Sequence, residues 1–241
     1  MKAILLLLCL LSGSVWADKA STFIPDKAHA LLPLVVSEID KAGAEFDAAI
    51  LASSIEQESC VSLTHSRCWS TTSEYKTRWK NKRLREWGAG LSMLTATWHS
   101  DGRVRFDTLT RLRNTYPDQL KGLSWEKIGK QPRLQILAGI LLKMEAWDAY
   151  KHVGPCNATA MMLSAYNQGK GGVNKDRRLC GLKKGCNPNI WWGNVEQVKR
   201  VGFATKTLYG TSRTAWNVNR THVKNVLKVR LKKYRAVLYP P

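Results

Sequence analysis

Apolar residues recur at three- and four-residue intervals along most of the chain, and no stretch sustains the period-two alternation that specifies a sheet. Leu34, Val35, Val36 and Ile39 suggest a first helix over 34–41, with Pro33 near its first turn and Gly43 just past its end. A second helix is expected over 45–59 and a third over 92–99. The strongest pattern lies at 132–150, where Leu134, Leu137, Ala138, Leu141, Leu142, Glu145 and Ala149 fall at helical spacing. Two more helices are expected over 158–167 and 221–238, the latter with Val223, Leu227, Leu231, Tyr234 and Leu238 on one stripe. Residues 99–130 mix charge, Gly and Pro around Leu109, Leu112 and Trp125, and predict one or two short helices. Residues 168–215 are Gly-rich and hold Cys180, Cys186, Pro188 and Trp191-Trp192; they predict a long, disulfide-pinned loop excursion, and ordered loops of that length usually serve function. No internal repeat or low-complexity run is present. The expected fold class is mainly α.

The N-terminus changes the setting in which these elements are read. Lys2, the apolar run Ile4 to Leu11, the small polar residues Ser12 to Ser14 and then Val15-Trp16-Ala17 form the three regions of an export signal, 1–17, with cleavage after Ala17. The run is far shorter than the roughly 20 residues a membrane span needs, and no second apolar stretch is long enough. The expected product is therefore residues 18–241, exported to the periplasm or secreted, with no transmembrane segment after cleavage. It has the length of one large or two small domains.

Export gives the cysteines and the charge their meaning. Cys60, Cys68, Cys156, Cys180 and Cys186 would lie where disulfides persist, and Cys60 with Cys68 and Cys180 with Cys186 are the simplest pairs. Sequence does not fix connectivity, and an odd count leaves one thiol over or paired to a partner. There is no CxxC, and His29, His65, His99, His152 and His222 have no short ligand spacing, so neither metal nor cofactor is expected. The formal net charge is +20, from 38 Lys and Arg against 18 Asp and Glu. In a cytosolic chain that balance would point to nucleic acid. After export the accessible polyanions are wall polymers and membrane surface, so anionic wall polymers are candidate partners and nucleic acid is not expected. A merely well-solvated surface has the same composition.

The second helix carries the candidate chemistry. Leu51 and Ile55 precede Glu58 by seven and three residues and put its carboxyl on the apolar face, in the last helical turn. Burial and the negative end of the helix dipole both favour the protonated form there, which suits a general acid. Glu56 is expected on the opposite, solvent-facing side.

Three motifs follow in order: Gln57-Glu58-Ser59; Gly90-Leu91-Ser92-Met93-Leu94 running into Thr95-Ala96-Thr97-Trp98; and Ala165-Tyr166-Asn167-Gln168-Gly169. Together they resemble the lytic transglycosylase catalytic domain, the soluble-transglycosylase-like family related to goose-type lysozyme, over about 45–172 plus 221–238. The Ala138-Gly139 step looks like the family's long-helix step. The resemblance implies a lysozyme-like single domain with long disulfide-pinned loops. It also implies cleavage of the β-1,4 bond between N-acetylmuramic acid and N-acetylglucosamine in peptidoglycan glycan strands. Glu58 would protonate the glycosidic oxygen, then take the proton of the muramic C6 hydroxyl as a 1,6-anhydro ring closes. One carboxylate suffices because the sugar's acetamido group can stabilise the cationic centre, a substrate-assisted departure from the two-carboxylate rule. Asp101, Asp107 and Glu86 remain open as a second acid. By the same resemblance Tyr166 would orient the Glu58 carboxyl and Asn167 would bond substrate or backbone, although Asn167 and Gly169 also suit a helix end. Gly90 and Leu91 would bring backbone close to the cleft, and Ser59 would tie the catalytic helix to that turn.

The chain departs from the family pattern in three places, one of which is Cys60 directly after Ser59, where pairing with Cys68 would close a small loop beside the active site. Ser92-Met93 stands where the family has Met-Gln, which removes a glycan-contacting amide, and His222 replaces a late Tyr. All three put the substrate subsites in doubt more than the acid. Of the tryptophans, most read as core and only Trp191-Trp192 as cleft-lip residues. The basic run Lys224 to Arg235 reads as the wet face of a helix. A hydrolase on the same fold, with water as acceptor, has the same sequence features. A non-catalytic cationic protein that binds cell wall or nucleic acid is the alternative from another class, and the motif order argues against it.

Overall fold

The computed structural model describes residues 22–208 and 211–240; the expected export signal and its cleavage site lie outside them. Among these residues no helix is long and apolar enough to cross a membrane. Both expected disulfides, Cys60–Cys68 and Cys180–Cys186, are formed. No cysteine is free among the described residues, Cys156 included. The chain is mainly helical with a small antiparallel sheet, and it divides into two compact units: 21–144 with 228–241, and 145–227.

In the first unit, helix α1 (Asp26–Ala42) begins earlier than the apolar spacing indicates and takes Pro33 inside it. It stops at Gly43, whose φ of 64° turns the chain left-handed so that its N–H reaches back to the last carbonyls. Helix α2 (Ala48–Ser59) starts where the Asp47 carboxylate accepts from the Ala49 N–H. A four-stranded sheet in the order β1-β2-β3-β4 follows: β1 (Glu74–Arg78), β2 (Leu84–Ala89), β3 (Leu94–Trp98) and β4 (Val104–Asp107), all antiparallel. This overturns two expectations, the absence of a sheet and the helix over 92–99. The strands are four to six residues long, and apart from Phe106, which pairs with Thr97, their outer face is largely polar. Ala89 and Leu94 join Leu109, Leu112, Leu137 and Leu141 in the core, while the outer face is built from Tyr75, Thr77, Glu86, Thr95 and Thr97. So little apolar alternation leaves the period-two signal below notice.

Helix α3 (Thr108–Thr115) is capped by Asp107 and packs under β3. Helix α4 (Pro132–Tyr150) has the expected bounds, but it is buried all round rather than along one stripe: Leu134, Gln135, Ile136, Leu137, Ala138, Ile140, Leu141 and Lys143 are all in the interior. Gly139 has no side chain because a Cβ there would lie 2.2 Å from the Ser92 hydroxyl.

The second unit contains α5 (Pro155–Gln168), which packs on both α6 (Lys170–Gly181) and α7 (Ala215–Lys224). The expected excursion over 168–215 thus opens with a 12-residue helix, and the disulfide pins its last turn instead of a free loop. Two glycines at the start of α6 and its five charged side chains hide the helix from an apolar count. Asp176, fully buried, accepts from Arg200, Arg220 and Gln168 and fastens α6 to the segment that follows. The stripe expected over 221–238 is real but compound: α7 passes through a π-helical stretch (Asn225–Arg230) into α8 (Leu231–Leu238), which belongs to the first unit.

Candidate active site

Glu58 ends α2, half-buried, with Ser59 beneath it in the core. The Ser59 hydroxyl donates to the Ile55 carbonyl and accepts from the Trp69 N–H at 3.1 Å. Ser59 therefore closes the helix onto the exit of the Cys60–Cys68 loop, not onto the Gly90 turn as expected. Glu56 also differs from expectation: it is 2% exposed. Tyr234 donates to its Oε2 at 2.6 Å, and Lys233 and Arg230 pair with it at 2.7 and 3.1 Å. The physical reason is that α2 has no solvent side. Residues Ala48 to Glu56 are all buried, and the face opposite Glu58 is covered by α8, which is distant in sequence and brings the cations that a buried carboxylate requires.

Gly90, Leu91, Ser92 and Met93 form the tight turn between β2 and β3, with φ of 79° at Gly90 and 42° at Met93. All four are buried, and one side chain from α4 holds them. Gln135 Oε1 accepts from the Leu91 N–H at 2.7 Å, its Nε2 donates to the Thr71 and Ile128 carbonyls, and its own backbone carbonyl accepts from the Ser92 hydroxyl. The turn thus fixes the sheet against α4, with its side chains directed into the protein. Gln135 was invisible in the sequence, since an amide in an apolar helix has no local signature of the backbone it will staple.

The sheet's outer face belongs to the same unit as Glu58. Register pairs Thr77 with Glu86, Glu86 with Thr97, Tyr75 with Gly88 and Gly88 with Thr95, so these residues share one side. The Tyr75 hydroxyl donates to Glu86 Oε1 at 2.6 Å. Burial first, then Glu86, and further off the Glu58 charge hold that phenol well above its ordinary range. Lys143 also senses Glu58. It is 1% exposed, and burial pushes its ammonium down to about 7 while the Glu58 carboxylate acts in the opposite direction. The packing agrees with this. Gly139 of α4 sits against Ser92 and Leu51, and one helical turn beyond Gly139 comes Lys143. Glu58 lies two turns beyond Leu51 along α2. A lone lysine in the most apolar helix of the chain was the signal available for it.

Of the three other acids left open by the sequence, Asp107 caps α3 and accepts from the Trp125 indole. Asp101 sits in the exposed β3–β4 turn, where hydrogen bonds from Arg103 hold it below the usual carboxylate range. Glu86 alone stands on the outer face. A cavity of about 290 Å3 opens on the other side of the sheet, among Thr72, Glu74, Trp87, Gly90 and Trp125; neither Glu58 nor Glu86 lines it.

Tyr166 and Asn167 lie in the second unit. Tyr166 is half-buried and stacks on His222 with ring centroids 6.2 Å apart; exposed Asn167 accepts from Asn219 at 3.1 Å, and Gly169 ends α5 with a positive φ of 83°. Trp191 is fully buried under the Arg220 guanidinium, so it is core and not a cleft lip, whereas Trp192 is half-buried. Compared with known protein families and with curated proteins, the chain matches none.

Proposed function

We propose that this chain cleaves the β-1,4 bond between N-acetylmuramic acid and N-acetylglucosamine in peptidoglycan, with Glu58 as acid and then base and 1,6-anhydromuramyl ends as the product. The observation that carries the reading is a half-buried glutamate at the end of a buried helix, in the same unit as a sheet whose outer face carries hydroxyls, one further carboxylate and, toward its β4 edge, the exposed Phe106 ring. A glycan needs such a surface, because its hydroxyls and acetamido groups exchange water for hydrogen bonds of similar strength. The disulfides Cys60–Cys68 and Cys180–Cys186 fit a compartment outside the reducing cytoplasm. The charge of +20 favours retention on an anionic wall.

Mass spectrometry of fragments released from peptidoglycan tests this, with Glu58→Gln as control. Loss of the general acid is expected to lower the rate by about a hundredfold to ten-thousandfold. Anhydro ends that vanish in Glu58→Gln support the proposal. Reducing ends that vanish instead keep Glu58 and make water the acceptor. No release by the parent chain, with binding retained, leaves a cationic wall-binding protein.

A further inference from the structure

Glu86 differs from several of the chain's other shielded acids, though Asp107 and Glu196 also hold only neutral hydrogen-bond partners. Glu38, Asp47, Glu56 and Asp176 each pair with lysine or arginine. In a chain with 38 basic residues, Glu86 pairs with none among those described, and Tyr75 is its hydrogen-bond partner. The partnership is built into the strands. Gly88 faces Tyr75 across β1 and β2, and a Cβ at Gly88 would lie 2.2 Å from the tyrosine ring. The ring therefore lies flat over β2, and its hydroxyl is delivered to Glu86 on the same strand. On β1 the cross-strand neighbour of Glu86 is Thr77, whose hydroxyl oxygen is buried with no partner. The result is a fixed carboxylate that keeps Oε2 uncommitted, flanked by hydroxyls, in the unit that carries Glu58.

We propose that Glu86 is a second catalytic carboxylate, which accepts the N–H of the muramic acid acetamido group and opposes the positive charge that forms there. This rests on the cleavage reading above and supplies what a one-acid scheme lacks. Glu58 serves as acid and base in turn, so no second base is needed, but an anion is needed where the cation develops. As Glu58 gives its proton to the glycosidic oxygen, the C1–oxygen bond breaks and the acetamido carbonyl oxygen bonds to C1, leaving an oxazolinium ion with a charged N–H. Glu86 accepts that N–H as a hydrogen bond without taking the proton. The C6 hydroxyl then attacks C1, the bond from C1 to the carbonyl oxygen breaks, and the hydroxyl proton returns to Glu58. Tyr75 is a positioning residue that holds Glu86 in place.

The test compares the parent chain with Glu86→Gln and Tyr75→Phe on soluble glycan strands. It also measures binding of N-acetylglucosamine-thiazoline, a stable mimic of the cyclised ion, by calorimetry. Loss of a charge-assisted hydrogen bond in Glu86→Gln is expected to lower kcat and weaken thiazoline binding by about tenfold to a hundredfold, with KM nearly unchanged. Tyr75→Phe should move the same two quantities in the same direction by a smaller factor. Equal kcat and equal thiazoline affinity in parent and Glu86→Gln overturn the role of Glu86 and leave the cleavage reading standing. Should Glu86→Gln not fold, the same equality in Tyr75→Phe overturns it. A Glu86→Gln chain that loses reducing ends but keeps anhydro ends makes Glu86 a base for water and also overturns it. A parent chain that releases nothing removes both readings together.

Discussion

Lys143 is a cation placed where water does not reach, and that placement has a measurable cost. Its folded value of about 7 lies well below the roughly 10.4 of a lysine in an open chain. Below pH 7 both states hold the proton. Between about pH 7 and 10 the unfolded chain holds it and the folded protein has lost it, so stability rises with pH across that window. Above pH 10 the sign reverses, because Tyr150 and Tyr239 are pushed up to about 12 by burial and keep their protons in the fold after the unfolded chain has released them. Thermal melts should therefore show a midpoint that climbs from pH 7 and falls above pH 10. Lys143→Met should flatten the climb and be the more stable protein at pH 6; an unchanged slope would refute the assignment. At this scale the sequence was legible in putting Glu58 in the last turn of its helix, although Glu58 is only half-buried there. It was misleading at Glu56, whose surroundings come from α8 some 180 residues away in the chain.

Between elements, the firmest join is that of α2 to α8. Tyr234 donates to Glu56 and accepts from the Trp69 indole at 2.8 Å, so a single hydroxyl serves two buried partners. Tyr234→Phe should cost about 1–3 kcal/mol in urea unfolding, since both partners lose a bond they cannot replace. At the α4–turn contact, Gly139→Ala should cost about 1–3 kcal/mol through overpacking against Ser92. Ser92→Gly in the same chain should recover part of that loss, and a failure to recover it would show that the strain lies elsewhere. These joins also explain which elements could be read in advance. Helices α2, α4 and α5 carry their apolar residues in local order, and their expected positions agree with the structure to within a few residues. The strands do not, because Thr95, Thr97 and Tyr75 are chosen for an outer polar face. Helix α6 does not either, because it is held by the Asp176 carboxylate through Arg200 and Arg220.

Across the whole molecule, basic residues outnumber acidic ones about two to one, and the buried acids consume only a few of them. The excess positive charge is available to a polyanion, and Debye screening shortens to roughly 8 Å at physiological salt. Retention of Glu58→Gln on isolated peptidoglycan should therefore weaken steadily as salt rises, as a pelleting assay would register; salt-independent retention would mean that charge plays no part. The division into units has a further consequence, in the order of synthesis. Residues 145–227 are an insertion between two parts of one unit, and Arg230, Lys233 and Tyr234 are made only after it. Until they arrive, the helix that carries Glu58 has a carboxylate two residues earlier with no partner to bury against. A growing chain cannot complete that helix's surroundings, so Glu58 is withheld from its final setting until translation has passed the insertion, a delay between making the helix and burying its neighbouring carboxylate.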